Sequence, residues 1–400
     1  MGAVAKAVID DVDVRGRRVL VRVDFNVPIR DGRIVDDRRI REALPTIESI
    51  RARGGRVILV SHLGRPGGAP DPALSIRPLA GRLSELLGGT EVRVARDVAG
   101  PAAAEIAASL EDGEVGMLEN VRFDPGEEGN DDQLARRLAA LADLYCNDAF
   151  GAAHRAHAST EGVAHHLPAY AGRLMLRELE VLGTALEAPG RPFVAIVGGA
   201  KISSKIGVVD NLLERVDTLW IGGAMACTFY LAQGESTGTS LVEKDQVETA
   251  RRLLDQAAAG RANLRLPTDC LVVEKPEEGA ATEVVSWREI PDGRMAVDAG
   301  PASVAAMAGD VEAAATVMWN GPLGIYEIDA FAQGTRRVAE ALGRSTATTI
   351  VGGGDLAAAI EDAGVAGDVS HISTGGGATL EFLEGRVLPG VAALRDRETS

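Results

Sequence analysis

Residues 191–207 read RPFVAIVGGAKISSKIG. The apolar run Phe193–Val197 has the make-up of a strand buried on both faces of a parallel sheet. Gly198 and Gly199 follow, where the backbone can turn tightly and come close to a ligand. Ala200 and Lys201 then open an expected helix, whose free N–H groups suit an anion. On such a helix Lys201 and Lys205, four apart, share one face and can address one polyanion. The pattern G-x-x-x-x-G-K-[ST] is absent, so this is not a Walker A loop. Taken alone, the segment is also what an ordinary βα turn with two surface lysines looks like. Its weight comes from repetition.

The same strand–glycine–helix grammar recurs downstream. Strand Thr218–Ile221 leads to Gly222-Gly223-Ala224-Met225, and a strand over 271–273 follows a turn at 266–269. A strand over 316–319 leads to Asn320-Gly321-Pro322-Leu323-Gly324-Ile325-Tyr326-Glu327. One over 348–351 leads to Gly352-Gly353-Gly354-Asp355, and one over 371–373 to Thr374 and three glycines. Such turns aim backbone amides at one crevice, fit for a nucleotide polyphosphate. Asp355 suits Mg²⁺, which is held by one or two carboxylates plus phosphates. It also suits the N-cap of a helix over 356–360, and the two roles are compatible. No G-x-G-x-x-G with a downstream ribose acid is present, which disfavours a nicotinamide-dependent dehydrogenase.

The chain has 400 residues, 46% of them apolar and 25% charged, the composition of a soluble two-domain protein. A formal charge of −16 argues against a general nucleic-acid or membrane binder. The charge is uneven: residues 1–170 carry 22 Lys+Arg against 26 Asp+Glu, and residues 171–400 carry 20 against 32. The cations of the first part are nearly all arginine, suited to bidentate capture of carboxylate and phosphate. Cys146, Cys227 and Cys270 lie far apart among apolar neighbours, which points to a reducing interior. The start of the chain lacks a believable signal core, and no run approaches a membrane span, so the expected location is the cytoplasm.

In the first part, polar groups follow one strand after another. Strand Arg18–Val23 ends in Asp24 and Asn26, positions that turn chemistry ahead of Pro28 would also explain. Arg38 and Arg39 fall in the first turn of a helix over 36–50, where cations oppose the helix dipole, so at least one is expected to be held for a ligand. Strand Arg56–Val60 runs into His62, Gly64 and Arg65. A strand over 115–118 precedes Arg122, and Leu144–Asn147 precedes His154, Arg155 and His157. A His/Arg set converging at one sheet edge is what a small, multiply charged anion needs; the alternative is scatter from an arginine-rich composition. A zinc site from His154, His157 and His165 or His166 lacks a suitably spaced fourth ligand. The helix over 174–186, with no expected strand on either side, is the candidate connector between domains. From the residues alone, the reading ends at a phosphotransferase with a small-anion acceptor.

The segments VRVDFNVP (from 21), SHLGRP (61–66), LENVRF (118–123), NDAFGAAHRAH (147–157), RPFVAIVGGAKISSKI (191–206), NGPLGIYE (320–327), GGGD (352–355) and STGGGATLEFLEG (373–385) resemble, in order, those of the phosphoglycerate kinases. The resemblance implies two Rossmann-like parallel-sheet α/β domains separated by a cleft. It divides the chain into a substrate domain over 1–172, a connecting helix over 173–187, a nucleotide domain over 188–377 and a segment over 378–400 returning to the first domain. It implies reversible phosphoryl transfer between MgATP and 3-phosphoglycerate, by a monomer whose domains close over both substrates. The implied substrate contacts are Arg22, Asp24, Phe25, Asn26, Arg39, His62, Leu63, Gly64, Arg65, Arg122, His154 and Arg155. The implied nucleotide contacts are Gly199, Ala200, Lys201, Lys205, Gly222, Ala296, Asn320, Pro322, Glu327, Gly353, Gly354, Asp355 and Leu356, with Asp355 facing Mg²⁺. Arg39, Lys201 and Gly376 would meet the phosphoryl group in transfer.

Two positions depart from that pattern. Leu356 stands where the family has Thr or Ser, removing a hydroxyl expected at the phosphates. Ala296 replaces a glycine expected to line the adenine pocket. The acceptor is a carboxylate, already ionised, so no general base is required, and positioning plus cations suffice. A catalytically silent relative is the rival reading; of the expected inventory only Leu356 favours it.

Overall fold

The structure is a computed structural model that describes residues 6–397. Its contacts divide the chain into two units, one made of residues up to Glu180 with those from Val387 onward, the other of Val181–Arg386. The division falls inside the helix Arg173–Glu187. Residues 378–386 belong with the second unit, so the returning segment expected from residue 378 starts at Val387.

The first unit is built on strands β1 (Arg18–Arg22), β2 (Ile29–Arg30), β3 (Arg33–Ile34), β4 (Arg56–Val60), β5 (Val92–Val94), β6 (Val115–Met117), β7 (Leu144–Asn147) and β8 (Ala169–Ala171). Six form one sheet in the order β5-β6-β4-β1-β7-β8, parallel throughout. Strand β1 is central because its Val19, Leu20 and Val21 are fully buried, as strands covered by helices on both faces must be. β2 and β3 pair as a small hairpin whose turn residues Asp31 and Gly32 both have positive φ, 50° and 72°. β8 directly precedes the connecting helix, a strand the sequence reading did not expect beside it. That helix is fastened at its start: Leu174 and Met175 donate backbone N–H to Asp148 Oδ1 at 2.9 and 3.2 Å, and Arg173 N–H donates to Thr46 Oγ1 at 2.9 Å. The final segment is tied to the first unit through Asn147 Nδ2, which donates to Gly390 O at 3.2 Å, and Gly390 N–H, which donates to Ala153 O at 2.8 Å.

The second unit contains β9 (Phe193–Val197), β10 (Thr218–Ile221), β11 (Asn263–Arg265), β12 (Asp269–Val273), β13 (Glu283–Ser286), β14 (Met295–Ala299), β15 (Thr316–Asn320), β16 (Thr348–Gly352) and β17 (His371–Ile372). Its main sheet runs β11-β10-β9-β15-β16-β17, again parallel. The chain leaves β9 toward β10 on one side and returns at β15 on the other, the topological switch at which open α/β sheets bind ligands. The strand expected over 271–273 does not join this sheet. It is the middle of a separate antiparallel sheet, β13-β12-β14, a hand-over that the bare apolar run did not disclose. Among the described residues no helix is long and apolar enough to cross a membrane, and all three cysteines are free and buried.

Candidate active site

In the first unit, the carboxyl ends of β1, β4 and β7 bring together most of the basic set read from the sequence. Arg22, 1% exposed, ends β1. Its Nε donates to Ser159 Oγ at 2.8 Å, and its second terminal nitrogen lies 3.2 Å from His62 Nδ1. Asp24 accepts a hydrogen bond from Arg39 at 2.7 Å and has His62 Nδ1 3.7 Å away. Burial pushes the Asp24 carboxyl up, but Arg39, His62 and Arg22 together outweigh it and hold the group below its usual range. His62 is displaced the other way: burial, reinforced by Arg22, Arg122 and Arg39 against Asp24, drops it well below an ordinary histidine. It is therefore neutral at physiological pH.

The backbone is held just as firmly. Phe25 N–H donates to Ser61 Oγ at 2.9 Å, and Leu63 N–H to Asn120 Oδ1 at 3.3 Å. Gly64 N–H donates to Asn26 Oδ1 at 2.9 Å, while Gly64 O accepts from Arg122 at 2.7 Å. Gly64 has φ +62°, and a Cβ there would sit 2.7 Å from Leu74 Cδ2, so only glycine fits this turn. Burial, followed by the charges of Arg22 and Arg155, lowers the Arg122 guanidinium against the pull of Glu128. Its Nε makes no hydrogen bond although Glu128 Oε1 is 3.3 Å away. Arg155 Nε donates to His154 Nε2 at 3.1 Å, and Arg65 and Arg155 are exposed. Of the two arginines opening the helix Arg38–Ala52, Arg39 turns to Asp24 while Arg38 pairs with Asp36 at 3.1 Å. The other histidines weighed for zinc have acidic partners of their own: His157 has Glu127 at 3.8 Å, His166 has Asp132 at 2.6 Å and His165 has Glu161.

In the second unit, Gly198 lies against the β15 loop so closely that a Cβ would meet Pro322 O at 2.3 Å. The helix after Gly199 does not start at Lys201 but at Ile206. Ser203 gives its N–H to Glu243 Oε2 at 3.0 Å and its hydroxyl to Glu243 Oε1 at 2.5 Å, which holds a turn in place of a helical first turn. Lys201 is consequently exposed on a turn, and Lys205, half-buried, stands at the N-cap position. Lys205 Nζ donates to Gly198 O at 2.5 Å and Asn320 Oδ1 at 2.8 Å. Burial lowers it from 10.5 to about 8, with Asp355 pulling the other way. Asn320 Nδ2, in a residue 4% exposed, has no hydrogen-bond partner among the described residues.

The helix Gly354–Asp362 begins after Gly353, whose φ is 103°. Asp355 thus lies in the first turn and is not the cap; it is exposed, beside free helix N–H groups. Leu356 is fully buried in the apolar cluster with Val351 and Ile360. Its side chain is a core group. Gly376, φ 50°, precedes the helix Gly377–Leu383.

A cavity of about 260 Å³ opens between these loops, lined among others by Gly199, Ala200, Ala296, Pro322, Glu327 and Asp355. Gly222 lies behind this wall, a Cβ there meeting Leu323 Cδ2 at 2.4 Å. Leu241, Trp287, Met295 and Asp298 also line the cavity, and the sequence reading missed them. Of these, Asp298 is the titratable one, and it lies within β14 of the separate antiparallel sheet. Burial lifts it to about 7 although it accepts N–H bonds from Gly334 and Ala299 at 2.7 and 2.9 Å.

Two parallel α/β units, one with a crowded arginine cradle and the other with a glycine-lined crevice holding a lysine and a carboxylate, define a kinase with a small anionic acceptor. A family model described as "Phosphoglycerate kinase" matches residues 9–386. The "Phosphoglycerate kinase" proteins of Moorella thermoacetica and Pelotomaculum thermopropionicum are 56% and 54% identical over 393 residues, 98% of this chain and 100% of theirs. The solved phosphoglycerate kinase of Coxiella burnetii superposes with a TM-score of 0.87 at 40% identity, covering 97% of this chain and 98% of that one. The chain belongs to the phosphoglycerate kinase family.

Proposed function

We propose that the first unit's cradle binds 3-phosphoglycerate and the second unit's crevice binds the adenine nucleotide. The reaction is the reversible transfer of a phosphoryl group between ATP and the carboxylate of 3-phosphoglycerate, giving ADP and 1,3-bisphosphoglycerate. The observation that carries the placement is the gathering of Arg22, Arg122 and Arg155: burial, then the charges of Arg22 and Arg155, lower the Arg122 guanidinium against the pull of Glu128. Like charges held together at such cost suit a polyanion that relieves them. Asp24, Asn26, Arg39, His62, Arg65, Arg122 and Arg155 are its contacts, with Phe25, Leu63 and Gly64 supplying the frame and His154 fixing Arg155.

On the nucleotide side, Gly199, Ala200, Ala296, Pro322 and Glu327 line the cavity for the nucleoside, with Gly222 letting Leu323 pack behind it. Lys205, Asn320 Nδ2 and the amides of Gly353, Gly354, Asp355 and Leu356 take the phosphates. Asp355 is an exposed carboxylate beside amides that suit phosphate, a donor set that fits Mg²⁺ carried on a nucleotide. The cation would supply charge neutralisation at the phosphates. Lys201, exposed on the turn, and Arg39, held by Asp24, are the cations that would meet the transferring group, and Gly376 leaves room for it without a side chain. No residue needs to take a proton, because the acceptor carboxylate is already ionised. The protein works as a monomer in a reducing cytoplasm, a setting in keeping with three buried free thiols.

The direct test is turnover of ATP and 3-phosphoglycerate with and without Mg²⁺. Strong Mg-dependent turnover supports this reading. Folded protein that binds both substrates without turnover would make the chain a silent relative.

A further inference from the structure

Behind the cradle lie two buried polar residues outside the expected contacts, Glu127 and Ser159, joined through hydrogen bonds to two expected contacts, Arg22 and His62. Glu127 and Ser159 are both 0% exposed. Glu127 accepts the Ser159 N–H at 2.9 Å on Oε2 and the Ser159 hydroxyl at 2.6 Å on Oε1. Ser159 Oγ in turn accepts from Arg22 Nε at 2.8 Å, and Arg22 reaches His62 Nδ1 at 3.2 Å. With Glu127 ionised, the protons along this chain have one consistent arrangement. A hydroxyl has one hydrogen, and Ser159 gives it to Glu127, so toward Arg22 its oxygen only accepts. A guanidinium only donates, so His62 Nδ1 must be the acceptor and carry no proton. The single proton of neutral His62 is then on Nε2, which no described protein group takes up.

We propose that Glu127 and Ser159 are positioning residues for the acceptor site: acting through Arg22, they hold His62 in its Nε2–H form, a neutral donor aimed at an oxygen of the bound anion. The inference rests on the reading of the cradle as the 3-phosphoglycerate site. Burial raises the Glu127 carboxyl, while Arg22 and the two hydrogen bonds from Ser159 pull it back; ionised, it sets a negative charge behind a guanidinium that is 1% exposed. Buried charges that lack such a counterpart are costly. Tyr145 completes the mounting, its hydroxyl donating to Ser159 O at 2.8 Å. The role differs from substrate contact, since neither Glu127 nor Ser159 reaches solvent.

The test is Ser159→Ala in the full-length protein, with Glu127→Gln as the second variant should the first fail to fold. The ring nitrogens of His62 are read by ¹⁵N NMR in the free protein, assigned with His62→Gln, and KM is measured for each substrate. The native protein should show one neutral tautomer, protonated on Nε2, from about pH 6 to 8. The variant should show mixed tautomers, with KM for 3-phosphoglycerate up about five- to tenfold and KM for ATP within about twofold. A merely structural role would not alter the tautomer. An unchanged tautomer in a folded variant overturns the relay. A changed tautomer with unchanged KM for 3-phosphoglycerate removes His62 from the anion site and overturns the positioning role along with the reading beneath it.

Discussion

Lys205 Nζ donates to Asn320 Oδ1 at 2.8 Å, and that bond turns the amide of Asn320 so that its Nδ2 has nothing to donate to. A buried donor without a partner is uncommon in a folded protein. Here it stands at the end of β15, beside Gly353 and the start of the helix Gly354–Asp362, where a phosphate oxygen would satisfy it.

Replacing Asn320 with Asp keeps the size, exchanges that donor for a negative charge and strengthens the hold on Lys205. The expected outcome in calorimetry is ADP affinity weakened at least about tenfold, in line with the worth of a hydrogen bond to a charged group. Affinity for 3-phosphoglycerate should not change. Equal ADP affinity would remove Asn320 from the phosphate site.

Lys205 titrates near 8 in the free protein because burial disfavours its charge. Between about 8 and its ordinary 10.5 the folded protein binds fewer protons here than the unfolded chain, so the stability contributed by this group rises with pH across that window. A bound polyphosphate reverses the preference and favours the ammonium form. ADP binding at about pH 8.5 should therefore take up a fraction of a proton, seen as a binding enthalpy that varies with the ionisation enthalpy of the buffer. No buffer dependence would contradict a Lys205–phosphate contact.

Leu356→Thr tests whether this position faces phosphate at all. The leucine is fully buried in an apolar cluster, so threonine removes packing and buries a hydroxyl. We expect roughly 2 kcal/mol or more of lost stability, read from the denaturant midpoint. Nucleotide affinity should stay within about twofold, since the backbone N–H is retained. Tighter ADP binding by the threonine variant would show that the side chain does reach the nucleotide.

Most of the proposed ligand contacts were legible because they follow a strand. Asp24, His62, Arg122, Asn320 and Asp355 all lie just past or at a strand's carboxyl end, and period and glycine placement locate such ends. Asp298 escaped because it lies inside β14, in a sheet whose antiparallel pairing an apolar run cannot reveal. The late start of the helix at Ile206 was hidden for another reason: Glu243, forty residues on, holds Ser203 and competes with the helix's own first turn. Glu127 sits in the acidic stretch PGEEGNDD, which reads as a solvated surface. Only the fold shows that it closes over Ser159 and Arg22 and is fully buried. The burial of Leu356 was out of reach for a similar reason, since a sequence gives the residue but not the side of the helix that meets the core.

Paired single variants test whether each unit serves one substrate. Arg65 is exposed and Asn320 lies in the crevice of the other unit. In a coupled assay with MgATP and 3-phosphoglycerate, Arg65→Ala should raise KM for 3-phosphoglycerate about tenfold or more and leave KM for ATP unchanged. Asn320→Asp should do the reverse. If either variant raised both constants equally, or Arg65→Ala left KM for 3-phosphoglycerate untouched, the assignment of one substrate to each unit would be wrong.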